Sequence, residues 1–326
     1  MNAPPRAVLD RYPGPSRPTS APRPLGNAGG LSGARLWRYR SAAGDLVLRL
    51  WPVDGPGPSS LARVHAWLAE AAALGFVAAP IPATDGRTLV SEGGRSWEVA
   101  PWMAGEADLA RPPAPARLVA AFAGLAAFHA RLAEHRTVGP SPGLAARARE
   151  IEGLLRGEFD AIARAIAADP ADPHAVLARP WLDRARALAP GLLEPLRLAA
   201  ARPLPLQPCL RDARPDHFLF VGDRLTGLVD FGAMGRETVA ADLARLLAEA
   251  VGPGREPRLS ALAAYEQGRP LTVPELAAIP LFERANALLG AGRWARWHFL
   301  ERRVFDDPGA VLAGLRRGLR RLEEAG

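Results

Sequence analysis

The stretch CLRDARPDHFLFVGDRLTGLVDFG, residues 209 to 232, constrains the fold of this chain more than any other segment. It holds two short apolar runs on either side of the turn VGDR, a pattern that predicts a β-hairpin. The outer ends of the two strands carry Asp212 and Asp230, which are eighteen positions apart in the sequence. Because a hairpin returns its outer ends to the same side, we expect the two carboxylates to converge.

Two converging carboxylates repel each other unless a cation lies nearby. A divalent metal ion with its bound phosphate is the natural occupant of such a site. One carboxylate would then hold Mg²⁺, and the other would orient a hydroxyl group for attack on a phosphoryl group. The hairpin therefore predicts a site of phosphoryl transfer.

Composition narrows the remaining possibilities. The 326 residues suffice for about two domains. The formal charge of +7 favours anionic partners, but the positive residues, all arginines, are scattered, which argues against a nucleic-acid interface. Cys209 is the only cysteine, so an internal disulfide and a cysteine zinc cluster are excluded. We expect a cytoplasmic protein, because the sequence contains neither an apolar run long enough for a membrane span nor the hydrophobic stretch of a signal peptide.

The pattern of residues predicts three regions. Residues 1–28 hold seven prolines and few large apolar residues, which predicts a disordered or loosely attached leader. Residues 29–101 predict a small lobe: a hairpin with Gly44 in its turn, a helix ending at Gly75, and two further strands. Residues 102–326 predict a larger, mostly helical lobe, whose first helix carries an apolar stripe from Leu118 to Leu132 and in which LTVPEL marks a later helix start. In this lobe the hairpin of residues 218–230 is expected to be the only strand pair.

The motifs RDARPDHFLF and GLVDFG resemble the catalytic loop and the metal-binding loop of the aminoglycoside phosphotransferase and choline kinase family, which has a protein-kinase-like fold. Other segments agree in order: AGGLSGA resembles part of a glycine-rich loop, LVLRLW the strand that bears the phosphate-binding lysine, and EVAPWMAG the hinge between lobes. AADLARLL resembles the helix whose aspartate, here Asp242, braces the catalytic loop. The resemblance covers about residues 29–322 and implies an α+β, bilobal fold.

The resemblance also implies roles for individual residues. Asp212 would accept the proton of the acceptor hydroxyl, and Arg49 and Arg214 would offset developing charge. Asp230 would bind Mg²⁺, and either His217 or Asp216 would complete the metal site, with Mn²⁺ as an alternative ion. The nucleotide-binding residues implied by the resemblance are Gly30, Ser32, Gly33 and Arg49.

Three positions depart from the family pattern. Arg49 replaces the lysine, and a guanidinium can still bind phosphate in a bidentate manner. Val64 or His65 stands where the lysine's partner glutamate is expected. His217 replaces an asparagine, and an imidazole nitrogen is a poor substitute for the oxygen ligands that Mg²⁺ prefers.

The sequence thus predicts an ATP-dependent phosphotransferase that acts on a hydroxyl group of a neutral or anionic small molecule. Arginines outnumber acidic residues in the C-terminal segment ERRVFDDPGAVLAGLRRGLRRLEEAG, which argues against a polycationic acceptor. The alternative is a pseudokinase that binds nucleotide without turnover. The departures at Arg49, Val64 and His217 favour the pseudokinase, whereas the two retained aspartates favour the enzyme.

Overall fold

The computed structural model describes residues 4–26, 33–109, 113–305 and 307–325. It contains both a β-sheet region and a mostly helical remainder, which confirms the predicted α+β class. Contacts group the chain into two compact units. The first unit comprises Met1–Leu109, Ala114–Glu134 and Pro215–Gly235, and the rest of the chain forms the second. The grouping therefore does not follow a single cut at residue 101.

The first unit is built on a five-stranded antiparallel sheet with the strand order β1-β2-β3-β5-β4. These strands are β1 (Arg23–Pro24), β2 (Arg35–Ser41), β3 (Gly44–Leu50), β4 (Val90–Glu92) and β5 (Arg95–Pro101). The predicted hairpin is formed by β2 and β3, with Ser41 opposite Gly44. Gly44 has a φ of 111°, which a residue without a Cβ adopts at little cost. On β3, Arg49 lies opposite Glu98 of β5.

The predicted disordered leader is wrong for residues 4–26. Helix α1 (Arg6–Leu9) and strand β1 lie in this segment, and β1 pairs with β2. Val8 and Tyr12 are completely buried in the core of the sheet. The high proline count outweighed these two apolar residues in the prediction. Their burial offsets the entropy cost of ordering the segment.

Two helices and a second hairpin complete the first unit. Helix α2 (Pro58–Ala71) is followed by a 3-10 turn that ends at Gly75, whose φ of 76° stops the helix as predicted. Helix α3 (Pro115–Arg131) buries the predicted apolar stripe. The hairpin consists of β8 (Phe218–Val221) and β9 (Arg224–Leu228). The predicted strand pair in residues 218–230 is therefore confirmed.

The second unit contains a sheet that the sequence analysis missed. Strands β6 (Thr137–Pro140), β7 (Pro203–Cys209) and β10 (Gly235–Glu237) pair in the order β10-β7-β6. The prediction of a single strand pair is therefore wrong. The strands were hard to predict because β6 and β7 contain several prolines. Proline cannot donate a backbone hydrogen bond and ordinarily argues against a central strand.

The remaining helices belong to the second unit. They are α4 (Pro142–Gly153), α5 (Phe159–Ala168), α6 (Pro173–Ala201), α7 (Ala240–Leu246), α8 (Arg255–Gly268), α9 (Val273–Ala295) and α10 (Ala310–Ala325). The predicted helix start in LTVPEL is confirmed, since Thr272 and Glu275 form a capping box at the start of α9. Three π-helical segments, Leu154–Glu158, Leu247–Val251 and Arg296–Leu300, follow α4, α7 and α9. Among the described residues, no helix has the length and apolar character needed to cross a membrane.

Candidate phosphotransfer site

Asp230 follows β9 in a strained backbone conformation. Its φ is 60°, in the left-handed region that non-glycine residues seldom adopt. The loop is also tightly packed, because a Cβ added to Gly232 would lie 3.3 Å from the ring of Trp51. Strained residues of this kind cluster at functional sites, where the surrounding structure maintains them. The conformation therefore identifies the Asp230 loop as a candidate site independently of its sequence motif.

Arg49 lies between two carboxylates of the first unit. Its Nε is 3.7 Å from Oε1 of Glu98, and its Nη1 is 3.5 Å from Oδ1 of Asp230. The guanidinium carbon also lies 4.9 Å from the centroid of the Trp51 ring. Two carboxylates and one aromatic ring therefore surround the planar guanidinium of Arg49 and fix its orientation.

Glu98 supplies the acidic partner that the sequence analysis did not find on α2. Its Oε2 accepts hydrogen bonds from Trp51 Nε1 at 2.7 Å and from His65 Nε2 at 2.9 Å. Burial acts to raise the pKa of Glu98, but the hydrogen bond from His65 and the charge of Arg49 outweigh it, so this pKa lies below its ordinary value. Glu98 is therefore ionised at neutral pH, and Arg49 has a buried counter-charge.

Three predicted metal ligands lie together in the first unit. His217 is buried, and its Nε2 is 3.6 Å from Oδ2 of Asp230 and 4.0 Å from Oδ1 of Asp216. The carboxylates of Asp216 and Asp230 are each about half exposed. Two carboxylate oxygens beside one imidazole nitrogen form a donor set suited to a divalent cation. The residues present thus fit a metal ion.

Asp242 of α7 holds the loop that carries Asp212 through hydrogen bonds to its backbone. Asp242 is completely buried, and its two carboxylate oxygens accept hydrogen bonds from the backbone N–H groups of Leu210 at 2.7 Å and Arg211 at 2.6 Å. Arg211, the residue before Asp212, has a φ of 64°. The predicted role of Asp242 as the brace of this loop agrees with these contacts.

Asp212 begins a chain of charges that leads into a cavity of the second unit. Arg245 Nη2 lies 3.2 Å from Asp212 Oδ1, and Arg245 Nε lies 2.8 Å from Glu249 Oε1. Glu249 Oε1 also lies 3.0 Å from Nη1 of Arg321 on α10. A cavity of about 350 Å³ is lined by Arg245, Glu249 and Arg321. Its volume is typical of a small-molecule site.

The cavity presents both signs of charge and one unpaired amide. Its lining includes Arg258, whose Nη2 donates to both carboxylate oxygens of Glu283 at 2.8 and 2.7 Å. Burial raises the pKa of Glu283 even though Arg258 opposes that rise. The Nδ2 of Asn286 is buried and has no hydrogen-bond partner among the described residues. A ligand that accepted a hydrogen bond from this amide would remove the cost of leaving it unpaired.

The other predicted site residues have varied outcomes. Gly30 and Ser32 lie outside the described residues. Gly33 has a φ of 73°, a conformation typical of a glycine turn. Asp212 and the half-buried Arg214 belong to the second unit, whereas Asp230 belongs to the first. The convergence of Asp212 with Asp230 stays a prediction.

Two functional candidates were missed by sequence reasoning. Glu98 was assigned only to the hinge segment, although its strand pairs with β3, and the cross-strand register with Arg49 would have revealed it. Arg245 lies one helical turn after Asp242 on α7, so the two side chains share a face of that helix. This spacing was the signal that could have identified Arg245.

Comparison with known proteins shows the family of this chain. Residues 25–278 match the model of the family described as "Phosphotransferase enzyme family". A homoserine kinase from Parvibaculum lavamentivorans is 35% identical over 142 residues, which cover 39% of this chain and 41% of that protein. The match thus spans about two fifths of the length of this curated relative.

Solved structures share the fold over almost the whole chain. An aminoglycoside phosphotransferase from Alicyclobacillus acidocaldarius aligns with a TM-score of 0.66 at 16% identity, covering 100% of this chain and 94% of that one. An amicoumacin kinase in complex with AMP-PNP, Ca²⁺ and Ami aligns with a TM-score of 0.65 at 14% identity, covering 98% of this chain and 92% of that one. At these identities the likeness concerns the fold alone.

Proposed function

Because this chain belongs to the phosphotransferase enzyme family, we propose that it transfers the γ-phosphoryl group of ATP to the hydroxyl of a small acceptor that carries both a carboxylate and an ammonium group. Homoserine is the first candidate. The observation that carries the proposal is the link made by Arg245, which contacts Asp212 and also lines the cavity.

In the proposed reaction, Asp212 accepts the proton of the acceptor hydroxyl as its oxygen forms a bond to the γ-phosphorus. The bond between the γ-phosphorus and the bridging oxygen of ATP breaks, and ADP leaves with that electron pair. Arg245 contacts one oxygen of Asp212 at 3.2 Å and orients it, which leaves the other oxygen for the hydroxyl. Arg49, already oriented by Glu98, binds nucleotide phosphate.

Asp230 and His217, with Asp216 beside them, would hold the divalent cation in this proposal. When bound, such a cation neutralises charge on the nucleotide phosphates. The Asp230 carboxylate lies 3.5 Å from Arg49 Nη1, so the residue that would hold the cation is adjacent to the residue that would bind phosphate.

The charge of the cavity supports a zwitterionic acceptor. Arg258 and Arg321 suit a carboxylate, while Glu249 and Glu283 suit an ammonium group. A polycationic antibiotic would meet several arginines without a matching number of free acids. Homoserine carries one carboxylate, one ammonium and one hydroxyl group, and the curated relative described above is a homoserine kinase.

The test is an assay of ADP release and of phosphorylated product by ³¹P NMR, with MgATP and homoserine. Serine, threonine and an aminoglycoside serve as comparison acceptors. Wild type should phosphorylate homoserine in preference to the others. Asp212→Asn should lower kcat by about 10²- to 10⁴-fold, the usual contribution of a general base. Asp230→Asn should abolish turnover.

Asp223→Asn is the matched control. Asp223 is an exposed carboxylate in the turn between β8 and β9, and it lies 3.4 Å from Arg117 Nε. Its activity should equal that of wild type. The proposal fails if none of these acceptors yields product, or if Asp212→Asn turns over homoserine at the wild-type rate. Nucleotide binding without any product would favour a pseudokinase instead.

A further inference from the structure

A second cluster of metal-binding side chains lies at the start of α6. Asp172 is the N-cap of this helix, and its Oδ1 accepts a hydrogen bond from the backbone N–H of His174 at 2.8 Å. His298, 126 positions further along the chain, comes from the π-helical segment Arg296–Leu300. Short π-helical turns are frequent at functional sites. None of these three residues has a role in the proposed phosphoryl transfer.

Both imidazole rings converge on the one carboxylate. His174 Nδ1 lies 2.6 Å from Asp172 Oδ1, and His298 Nε2 lies 2.6 Å from Asp172 Oδ2. The ring centroids of the two histidines are 3.9 Å apart, at an interplanar angle of 32°. One potential ligand atom from each residue lies within 4.8 Å of the others.

The charges of the cluster favour a cation. Each oxygen of the Asp172 carboxylate faces an imidazole nitrogen at 2.6 Å. Two imidazolium rings at this separation would repel each other strongly. A single divalent ion instead satisfies the carboxylate and the lone pairs of two neutral rings.

We propose that Asp172, His174 and His298 form a zinc site, with water as the fourth ligand. Ligands of tetrahedral zinc stand roughly 3.3 Å apart, given zinc–ligand distances of about 2.0–2.2 Å. Small ring movements convert the present contacts to that spacing. The side chains are between 11 and 22% exposed, so solvent reaches the fourth position. Two imidazoles with one carboxylate favour Zn²⁺ over Mg²⁺.

The zinc ion would fasten the first turn of α6 to the segment that follows α9. Asp172 already joins these elements by hydrogen bonds, and the metal would replace those bonds with stronger, directional ones. The site would therefore stabilise the second unit. Its existence does not depend on the proposed phosphotransferase activity.

The test is equilibrium dialysis of the full chain against Zn²⁺ with excess Mg²⁺, together with the melting temperature measured with and without Zn²⁺. Wild type should bind one equivalent of Zn²⁺ and melt at a higher temperature when it is bound. His174→Gln and His298→Gln should each weaken binding by at least roughly tenfold, since each removes a ligand. Both should lose the thermal shift.

His135→Gln, which changes a histidine outside the cluster, should bind Zn²⁺ as wild type does. Asp230→Asn should also keep the binding, which separates this site from the candidate Mg²⁺ ligands. If either glutamine variant fails to fold, zinc-edge X-ray absorption of the wild-type protein counts the ligands directly, and two imidazoles are expected. Wild-type zinc affinity in both glutamine variants, or a zinc spectrum without two imidazoles, would overturn the proposal.

Discussion

Glu98 of β5 lies opposite Arg49 of β3, and its buried carboxylate is 3.7 Å from the guanidinium Nε. In the resembled family, the phosphate-binding cation is a lysine paired with a glutamate from the following helix. In this chain Arg49 lies at the matching position and its acidic neighbour comes from the adjacent strand, while α2 contributes His65 as a hydrogen-bond partner of that acid. The pairing of a cation with a buried glutamate is thus kept, although the cation is a different residue and the glutamate comes from a different element.

We predict that Glu98→Gln weakens the use of ATP. The amide keeps the size of the side chain but removes the charge that orients Arg49. The KM for ATP should rise by at least about tenfold, because Arg49 loses its buried counter-charge. Steady-state kinetics with varied ATP measures this change. Glu106→Gln, at an exposed glutamate of the same unit, should have no effect, and an equal change in both variants would contradict the role of Glu98.

Stability should depend on the ionisation of Glu98 in acid. Its pKa in the folded chain lies below the ordinary value of 4.5, so the unfolded chain binds the proton more readily. The stabilisation is therefore complete above about pH 4.5 and is lost as the pH falls through the folded-state pKa. Urea unfolding of wild type and Glu98→Gln should show a stability difference at pH 7 that shrinks at pH 4. A difference that grew on acidification would refute this sign.

Asp242 should be required for both stability and turnover. In Asp242→Asn, one of the two backbone N–H groups of Leu210 and Arg211 loses its acceptor in a completely buried position. We expect a loss of about 1–3 kcal/mol in the free energy of unfolding and a fall in kcat, because the Asp212 loop is no longer held. Urea denaturation and the kinase assay report the two effects. The exposed Asp183→Asn variant of α6 should alter neither.

Asn286 should discriminate the charge of the acceptor. Its unpaired Nδ2 lines the cavity, while its Oδ1 accepts a hydrogen bond from Arg147 Nε at 2.8 Å. Asn286→Asp keeps the shape and the Arg147 contact but places a negative charge beside the acceptor carboxylate. The KM for homoserine should rise at least roughly tenfold, with the KM for ATP unchanged. If the KM for homoserine stays the same, this cavity does not bind the acceptor carboxylate.

Cys209 should be inert towards thiol reagents in the folded protein. Its side chain is completely buried, its Sγ donates to the carbonyl of Glu237 at 3.2 Å, and burial raises the pKa of the thiol. The reactive thiolate is therefore scarce and shielded. Titration with a chromogenic disulfide should detect no thiol under native conditions and one per chain in guanidinium chloride. Rapid labelling of the native protein would show that the β7 end is open.

The residues alone determined the elements that rest on local patterns. The alternation in ARLWRYR and DLVLRLWPV, the turn at Gly44 and the apolar stripe of α3 each predicted a local structure that is present. The hairpin around Gly222 was predicted for the same reason, because its turn chemistry and its apolar runs lie within fifteen residues. These signals are short-range, and their physical causes, backbone conformation and periodic burial, act between neighbours.

Tertiary structure decided the rest, because it depends on contacts between residues distant in sequence. Burial of Val8 and Tyr12 orders a proline-rich segment that composition alone predicts to be disordered. Strand register, not the α2 sequence, selects Glu98 as the partner of Arg49. Similarly, Arg245 joins Asp212 to a cavity, and His298 meets Asp172 across 126 positions. The cost of burying a charge without a partner selects these pairs, and that cost exists only once the chain is packed.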